Sequence, residues 1–287
     1  MSKKSKEIVL SSSNTSSDIN SGSIYFIGNA TVLISFAGFT ILTDPTFIHM
    51  HEKVHLGYGL HTTRLTNPAI NINELPSLDF IVLSHFHGDH FDPVSINELD
   101  KSLLIVTTPH AAEELQSRGF NNTEKLEKWD SVSFLKGDYR LKITATPGRH
   151  GPFPISIFLP QVMGSILDFQ SINGNDLFRI YITGDTMVFN DIKDISKRFP
   201  NVDIALLHLG GTTIMGIVVT MDAKEGVKMF KLVEPKKAIP IHYNDYDVFK
   251  SSIEDFKKEV TENGLGDRIH YLNHGESYTF TINKNNI

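Results

Sequence analysis

Within six residues the chain places four metal-competent side chains, His85-x-His87-x-Asp89-His90. Few folds can accept such a segment. Three imidazoles and a carboxylate this close together suit zinc or a similar borderline metal. The segment follows Asp79-Phe80-Ile81-Val82-Leu83, an apolar run that reads as a buried strand. Gly88 lies inside the cluster, where a tight turn would need it. The expectation is a strand that ends in a ligand-bearing loop; the plainer alternative is a solvated histidine-rich loop. The two separate on whether the rest of the chain brings further ligands to matching places.

Composition narrows what those ligands can be. There is no cysteine among the 287 residues, so any metal must be held by histidine and carboxylate, and disulfides are excluded. The balance of 27 basic and 33 acidic residues, net charge −6, leaves no electrostatic footprint for nucleic acid or an anionic membrane. No nucleic-acid partner is expected. No apolar run approaches the roughly 18 residues of a membrane span. Met1 to Leu10 carries lysines but runs into Ser11-Ser12-Ser13-Asn14-Thr15-Ser16-Ser17 rather than an apolar segment, so no secretion signal is read and a cytoplasmic setting is expected. The length allows a sizeable core; the oligomeric state, homo-oligomer or not, is left open.

Taken in order, residues 1–22 are Ser/Asn/Lys-rich and read as a disordered tail, with residues 23–287 forming a single domain. Three short strands, Ile24–Ile27, Thr31–Phe36 and Thr40–Leu42, form an antiparallel meander closed by Asp44-Pro45. Residues 45–76 show no sustained period and carry His49, His51, His55 and His61; a pocket wall and a solvated loop are both open readings. Asp92-Pro93 starts a short helix. Leu103–Thr107 reads as a strand, and a helix from Ala111 to Arg118 stops at Gly119; His110 just before it has no assigned role. Strands follow near Glu124–Leu126, Ser131–Leu135 and Arg140–Thr146, then over 155–170 and 177–182 with Asn173-Gly174 as a hairpin signal. A helix is expected over Val188–Arg198 and a strand over Val202–Leu207. Two amphipathic helices close the chain, the first capped by Asp222 with Glu225 completing a capping box, the second repeating Phe249, Ile253, Phe256 and Val260. Strands Lys237–Ile241, Ile269–Leu272 and Tyr278–Ile282 complete the pattern. Strands recurring at both ends fit an α/β (α+β) architecture of two mixed sheets face to face with helices outside, a four-layer αββα sandwich, better than one doubly wound sheet.

Strand ends deliver the ligand-type residues. The Leu83 strand leads to His85, His87, Asp89 and His90; the Thr146 strand leads to His150; the Ile182 strand leads to Asp185; and the Ile241 strand leads to His242. Neighbouring strands are only about 5 Å apart, so residues at one rim converge. The full set resembles the metallo-β-lactamase fold of binuclear metallohydrolases, over nearly the whole chain from Ser23. Thr43-Asp44-Pro45, Thr146-Pro147-Gly148-Arg149-His150, Thr183-Gly184-Asp185-Thr186 and Ile239-Pro240-Ile241-His242-Tyr243 are similar to the branch that includes ascorbate-6-phosphate lactonase-like and N-acyl-phosphatidylethanolamine phospholipase D-like proteins. The resemblance implies that His85, His87 and His150 bind one metal, that Asp89, His90 and His242 bind the other, and that Asp185 bridges them.

Seven ligands exceed one tetrahedral zinc and suit two divalent ions. Zn2+ is the default, with Mn2+ and Fe2+ as alternatives. Two such ions can hold a bridging hydroxide that attacks an ester, a lactone or a phosphodiester in a small-molecule substrate. The rivals are a phosphodiesterase or nuclease acting on nucleotides or nucleic acid, and a di-iron oxidoreductase on the same fold. Further catalytic candidates are Asp89, which lactonase relatives suggest as a proton donor to the leaving group; His208, at a strand end, as an oxyanion stabiliser or a core histidine; and Tyr243, beside His242, as a polariser of a substrate oxygen. Asp44 reads either as a carboxylate that orients a ligand histidine or as a turn residue.

Overall fold

Strands such as Ile204-Ala205-Leu206-Leu207 have no polar face, and a sheet built from them must be covered on both sides. The computed structural model, which describes residues 5–11, 20–57 and 59–282, meets that demand with four layers. The first half of the chain forms β1 (Ser5–Val9), β2 (Ser21–Gly28), β3 (Thr31–Phe36), β4 (Phe39–Thr43), β5 (Lys53–His55), β6 (His61–Thr63), β7 (Phe80–Val82), β8 (Ile105–Thr107) and β9 (Thr123–Lys125). The second forms β10 (Ser131–Lys136), β11 (Tyr139–Pro147), β12 (Met163–Ser171), β13 (Asp176–Ile182), β14 (Ile204–His208), β15 (Thr213–Ile214), β16 (Ile217–Val218), β17 (Lys237–Ile241) and β18 (Ser277–Thr281). The helices are α1 (Pro93–Glu98), α2 (Pro109–Gln116), α3 (Lys193–Arg198), α4 (Ala223–Val233) and α5 (Ile253–Glu262).

Two seven-stranded sheets result, ordered β18-β2-β3-β4-β7-β8-β9 and β1-β10-β11-β12-β13-β14-β17. Both are mixed. The meander β2-β3-β4 is antiparallel and continues in parallel through β7, β8 and β9. The run β10 to β13 is antiparallel and continues in parallel through β14 and β17. Phe80, Val82, Phe134, Ile143, Ile204 and Leu206 fill the space between the sheets. The alternate residues face outward under helices. Ala205 and Leu207 pack with Val227, Phe230 and Phe256 of α4 and α5, and Ile81 and Ile105 pack with Ala111 and Leu115 of α2. No helix among the described residues is long and apolar enough to cross a membrane.

The helix starts follow local chemistry. Asp92 caps α1 through the Ser95 amide, with Pro93 in the first turn, and Thr108 caps α2 ahead of Pro109. Asp222 caps α4, but the reciprocal box expected with Glu225 forms instead at α5, between Ser252 and Asp255.

Several expectations are corrected. Ser5–Val9, read as part of a disordered tail, is a strand pairing in parallel with β10, because Ile8 and Leu10 pack on the inter-sheet core. Strand β2 begins at Ser21 rather than near Ser23; residues 1–4 and 12–19 of the expected tail lie outside the described residues. The strand expected over 155–170 begins only at Met163; before it lie a short 3-10 turn, Ile155–Ile157, and loop. Pro160 removes an amide donor that a ladder would need. The helix expected over Val188–Arg198 is a 3-10 turn, Asn190–Ile192, followed by α3. Ile269–Leu272 makes only an isolated bridge, Ile269 to Ala238.

Four layers make a specific demand on the two faces of β14. Leu206→Ala and Leu207→Ala should each lower the unfolding free energy by about 2–5 kcal/mol, measured by urea denaturation. A neutral Leu207→Ala would mean that the outer face of this strand is not covered.

Candidate metal centre

Six strands end at one rim and carry the polar residues of interest. From the first sheet, β4 leads to Asp44 and β7 to Ser84 and the His85–His90 loop. From the second, β11 leads to His150, β13 to Asp185 and β17 to His242, while His208 is the last residue of β14. All seven expected ligands are buried, the most exposed being His87 at 7 %. They fall into two groups whose donor atoms lie within 4.8 Å of one another: His85, His87 and His150; and Asp89, His90, Asp185 and His242.

The two groups differ electrostatically. In the first, burial drives the histidines toward neutrality. It holds His85 well below the ordinary histidine range, aided by the charges of His90 and His87, and brings His87 down to about 3. His150 is lowered mainly by burial as well. Neutral imidazole is the ligating form. In the second group burial would also lower His90 and His242, but Asp185 and Asp89 outweigh it and raise both. Asp185 is correspondingly held well below the carboxylate range, where His242 and His90 overcome its burial. His90 Nε2 lies 3.2 Å from Asp185 Oδ2, and His242 Nε2 lies 3.5 Å from Asp89 Oδ2.

The donor atoms themselves test whether metal fits. His87 Nε2, Asp89 Oδ1, His90 Nε2, Asp185 Oδ1 and His242 Nε2 are buried without a hydrogen-bond partner. Such atoms are costly inside a protein unless something coordinates them. His85 Nε2 and His87 Nδ1 converge to 3.0 Å, and His150 turns Nδ1 to the Val219 carbonyl at 2.8 Å, which leaves its Nε2 as the ligand atom. The donor set, five imidazoles and two carboxylates, fits two divalent ions better than one.

A buried frame orients the ligands. Asp44 Oδ1 accepts from the Ser84 amide at 2.7 Å and the Ser84 hydroxyl at 3.0 Å; that hydroxyl in turn lies 3.0 Å from His85 Nδ1 and 3.4 Å from His90 Nδ1. Burial would raise the Asp44 carboxyl, but the imidazoles of His208, 3.5 Å away, and His90, 3.6 Å away, bring it to about 2. On the other side Asn29 ties the second group together: its amide group donates to the Asp89 carbonyl at 2.5 Å, and its own carbonyl accepts from the His242 amide at 2.9 Å. The Asn29 backbone amide is held by Asp245 Oδ2 at 2.9 Å. Asp245 is fully buried opposite Arg64 at 3.6 Å, with His274 at 3.3 Å. Asn29, Asp44 and His242 all adopt left-handed backbone, φ 54°, 35° and 60°. Such conformations persist only where surroundings over-determine them.

Several sequence readings change here. Asp44 is the orienting carboxylate rather than a plain turn residue. His208 is fully buried, with its ring between Asp44, 3.5 Å from Nε2, and Thr183, 3.3 Å from Nδ1. His208 thus lies beside the cluster, in a group with Asp44 and His90, as buried as the ligand histidines themselves. The Tyr243 hydroxyl donates to the Leu272 carbonyl at 3.3 Å, and its ring packs in the α4/α5 layer, so the structure does not bring it to the cluster. Gly88 does not have the positive φ that a glycine-only turn uses. It is needed because the β5–β6 hairpin presses against it: a Cβ there would lie 2.6 Å from the His55 carbonyl oxygen and 2.8 Å from Val54 Cβ. Of the loop histidines, His55 lines a cavity of about 440 Å³ beside His87, as does His110; His49, His51 and His61 are exposed. Ser84, Asn29, Arg64 and Asp245 escaped sequence reading; only Ser84 carried a signal, as the hydroxyl between strand and motif.

Known proteins resemble this chain in sequence and in fold. A family model described as a beta-lactamase superfamily domain matches residues 40–243. A metal-dependent hydrolase from Staphylococcus carnosus is 31% identical over 75% of this chain and 91% of its own length. Among solved structures, an isothiocyanate hydrolase from Delia radicum gut bacteria superposes with a TM-score of 0.76 at 22% identity, covering 90% of this chain and 99% of that one. A metallo-beta-lactamase fold protein from Bacillus subtilis gives 0.59 at 14% identity, with 91% and 100% covered.

Two substitutions probe the frame. Gly88→Ala must displace the hairpin backbone and should cost about 1–3 kcal/mol, read as a lowered thermal midpoint. Asp245→Ala strands the buried Arg64 guanidinium and should cost about 3–5 kcal/mol in urea denaturation. A loss below about 1 kcal/mol, the size of an exposed pair, would contradict the burial of that pair.

Proposed function

The chain belongs to the beta-lactamase superfamily, and on that premise we propose that it is a metal-dependent hydrolase with a dinuclear centre. The observation that carries this reading is the set of buried, unpartnered nitrogen and oxygen atoms pointing into one cluster. In this reading His85, His87 and His150 hold one divalent ion, Asp89, His90 and His242 hold the second, and Asp185 is shared. Zinc suits the donor set best; manganese or iron would also be accommodated. When bound, such a pair supplies Lewis acidity and a hydroxide nucleophile near neutral pH.

The protein residues then position, and hold protons. Asp44 acts through Ser84 to turn His85 and His90 toward the cluster, as supporting carboxylates do at metal sites. Asn29 holds the backbones of Asp89 and His242 in register. Asp89 has a carboxylate oxygen free of hydrogen bonds and is lowered by His90 and His242 against its burial. It is therefore ionised and accepts a proton before it can pass one to a leaving group. The bond cleaved is that of an ester, a lactone or a phosphodiester in a small molecule. The net charge of −6 favours that over a nucleic-acid substrate. In this reading the described residues, β1 included, constitute a single hydrolase domain.

Asp185→Ala and His87→Ala should each lower the metal content of the purified protein from two ions to one or fewer and reduce turnover more than 100-fold, about 2.7 kcal/mol or more of lost transition-state stabilisation. Metal analysis followed by a panel of lactones, phosphodiesters and phosphorylated sugars makes the measurement. An Asp185→Ala protein that kept two ions and full turnover would sink the mechanism.

A further inference from the structure

The cavity of about 440 Å³ beside His87 is large enough for a small organic ligand. Phe86, Phe91, Pro93, Ile96 and Pro160 supply its apolar lining, and the imidazoles of His55, His87 and His110 part of its polar lining. Two charged residues line it, Arg118 and Glu114, and they neutralise each other. The Arg118 Nη1 donates to Glu114 Oε2 at 2.7 Å, to the Glu114 carbonyl at 2.6 Å and to the Ser117 hydroxyl at 2.8 Å. Its guanidinium also lies 4.5 Å from the centre of the Phe86 ring, a cation–π contact. With Glu114 beside it, this cation brings no net charge to the cavity, and an entering phosphate or carboxylate would meet the Glu114 carboxylate as well as Arg118.

The cavity also meets the cluster at its most exposed member. His87 lines it while directing Nδ1 toward His85, and His87 Nε2 is buried without a partner. The loop that supplies Pro160 carries three large apolar side chains in solvent: Phe153 at 73 %, Ile157 at 66 % and Phe158 at 67 % exposure. Apolar side chains crowded into one short exposed loop mark a place where an apolar group is met.

We propose that this cavity is the subsite for the non-reacting part of the substrate, and that this part is an uncharged aryl or alkyl group. The inference rests on the hydrolase reading for the word substrate, but binding to the cavity is testable without turnover. The subsite favours an apolar ester or lactone over a phosphorylated sugar, whose phosphate would find no net positive charge from the Arg118–Glu114 pair.

The test uses the full-length, metal-loaded protein and two kinds of probe, phenylacetamide and succinate, with binding followed by calorimetry. Phenylacetamide should bind at least tenfold more tightly than succinate. Ile96→Glu and His110→Glu each place a carboxylate on the cavity wall and should weaken phenylacetamide at least tenfold with metal content unchanged. His110 is an exposed residue in the first turn of α2, where negative charge suits the helix, so this variant should fold even if the first does not. Tighter succinate binding, or phenylacetamide binding that neither variant alters, overturns the proposal. If phenylacetamide binds as expected but neither methyl phenylacetate nor any lactone is turned over, the hydrolase reading fails and the subsite stands.

Discussion

Two carboxylates, Asp89 and Asp185, are buried with five histidines at one rim of the sandwich, and that burial sets the terms for the residues around them. An isolated ion in such a place would cost several kcal/mol. Here each carboxylate faces His90 or His242, and those pairs leave several donor atoms still without hydrogen bonds. The cluster is thus stable as a set of mutual compensations and open to a cation. The surrounding frame serves to keep it from relaxing into an ordinary hydrogen-bonded core. Asp44 and Ser84 fix one side; Asn29, Asp245 and Arg64 fix the other. Left-handed backbone at Asn29, Asp44 and His242 shows where that frame carries strain.

The sandwich explains why these residues meet. Strands β11, β13, β14 and β17 run the same way, and so do β4 and β7, so their C-terminal ends lie at one rim. Ligands therefore arrive from both sheets without any one loop having to fold around an ion. The inter-sheet core and the two helical layers bury both faces of the central strands, and the rim inherits their rigidity. Sites built on such elements hold geometry more closely than sites on free loops. The less regular parts, the β5–β6 hairpin and the loop before β12, sit above the rim and shape what can reach His87.

Much of this was legible in the chain. The apolar runs ending at Leu83, Thr146, Ile182 and Ile241 marked strands, and polar residues just past each end marked a rim, because a side chain beyond a strand terminus is carried there by the sheet. Asp92 before Pro93 and Asp222 before an apolar stripe marked helix starts that the structure reproduces. The errors have physical causes. Ser5–Val9 is polar and short, and it becomes a strand only because β10 offers an edge and the core accepts Ile8 and Leu10. The run from 155 to 162 is apolar enough for a strand, but Pro160 interrupts any ladder and Pro152 and Pro154 stand just before it. Tyr243 neighbours His242 in sequence, yet adjacent residues at a strand end point to opposite sides, and its hydroxyl goes to Leu272.

The sequence by itself determined the class of fold and the chemical identity of the cluster, because strand periodicity and ligand spacing are local properties. Asp44 was legible only as one of two readings. That it serves Ser84, that His208 sits between Asp44 and Thr183, and that Asn29 joins Asp89 to His242 were decided by tertiary structure alone. So were the reason for Gly88, which is the nearness of the His55 carbonyl, and the neutralisation of Arg118 by Glu114 over Phe86. Each of these depends on distances between segments far apart in the chain, or on which donors a neighbour has already taken, and neither is written in residue order.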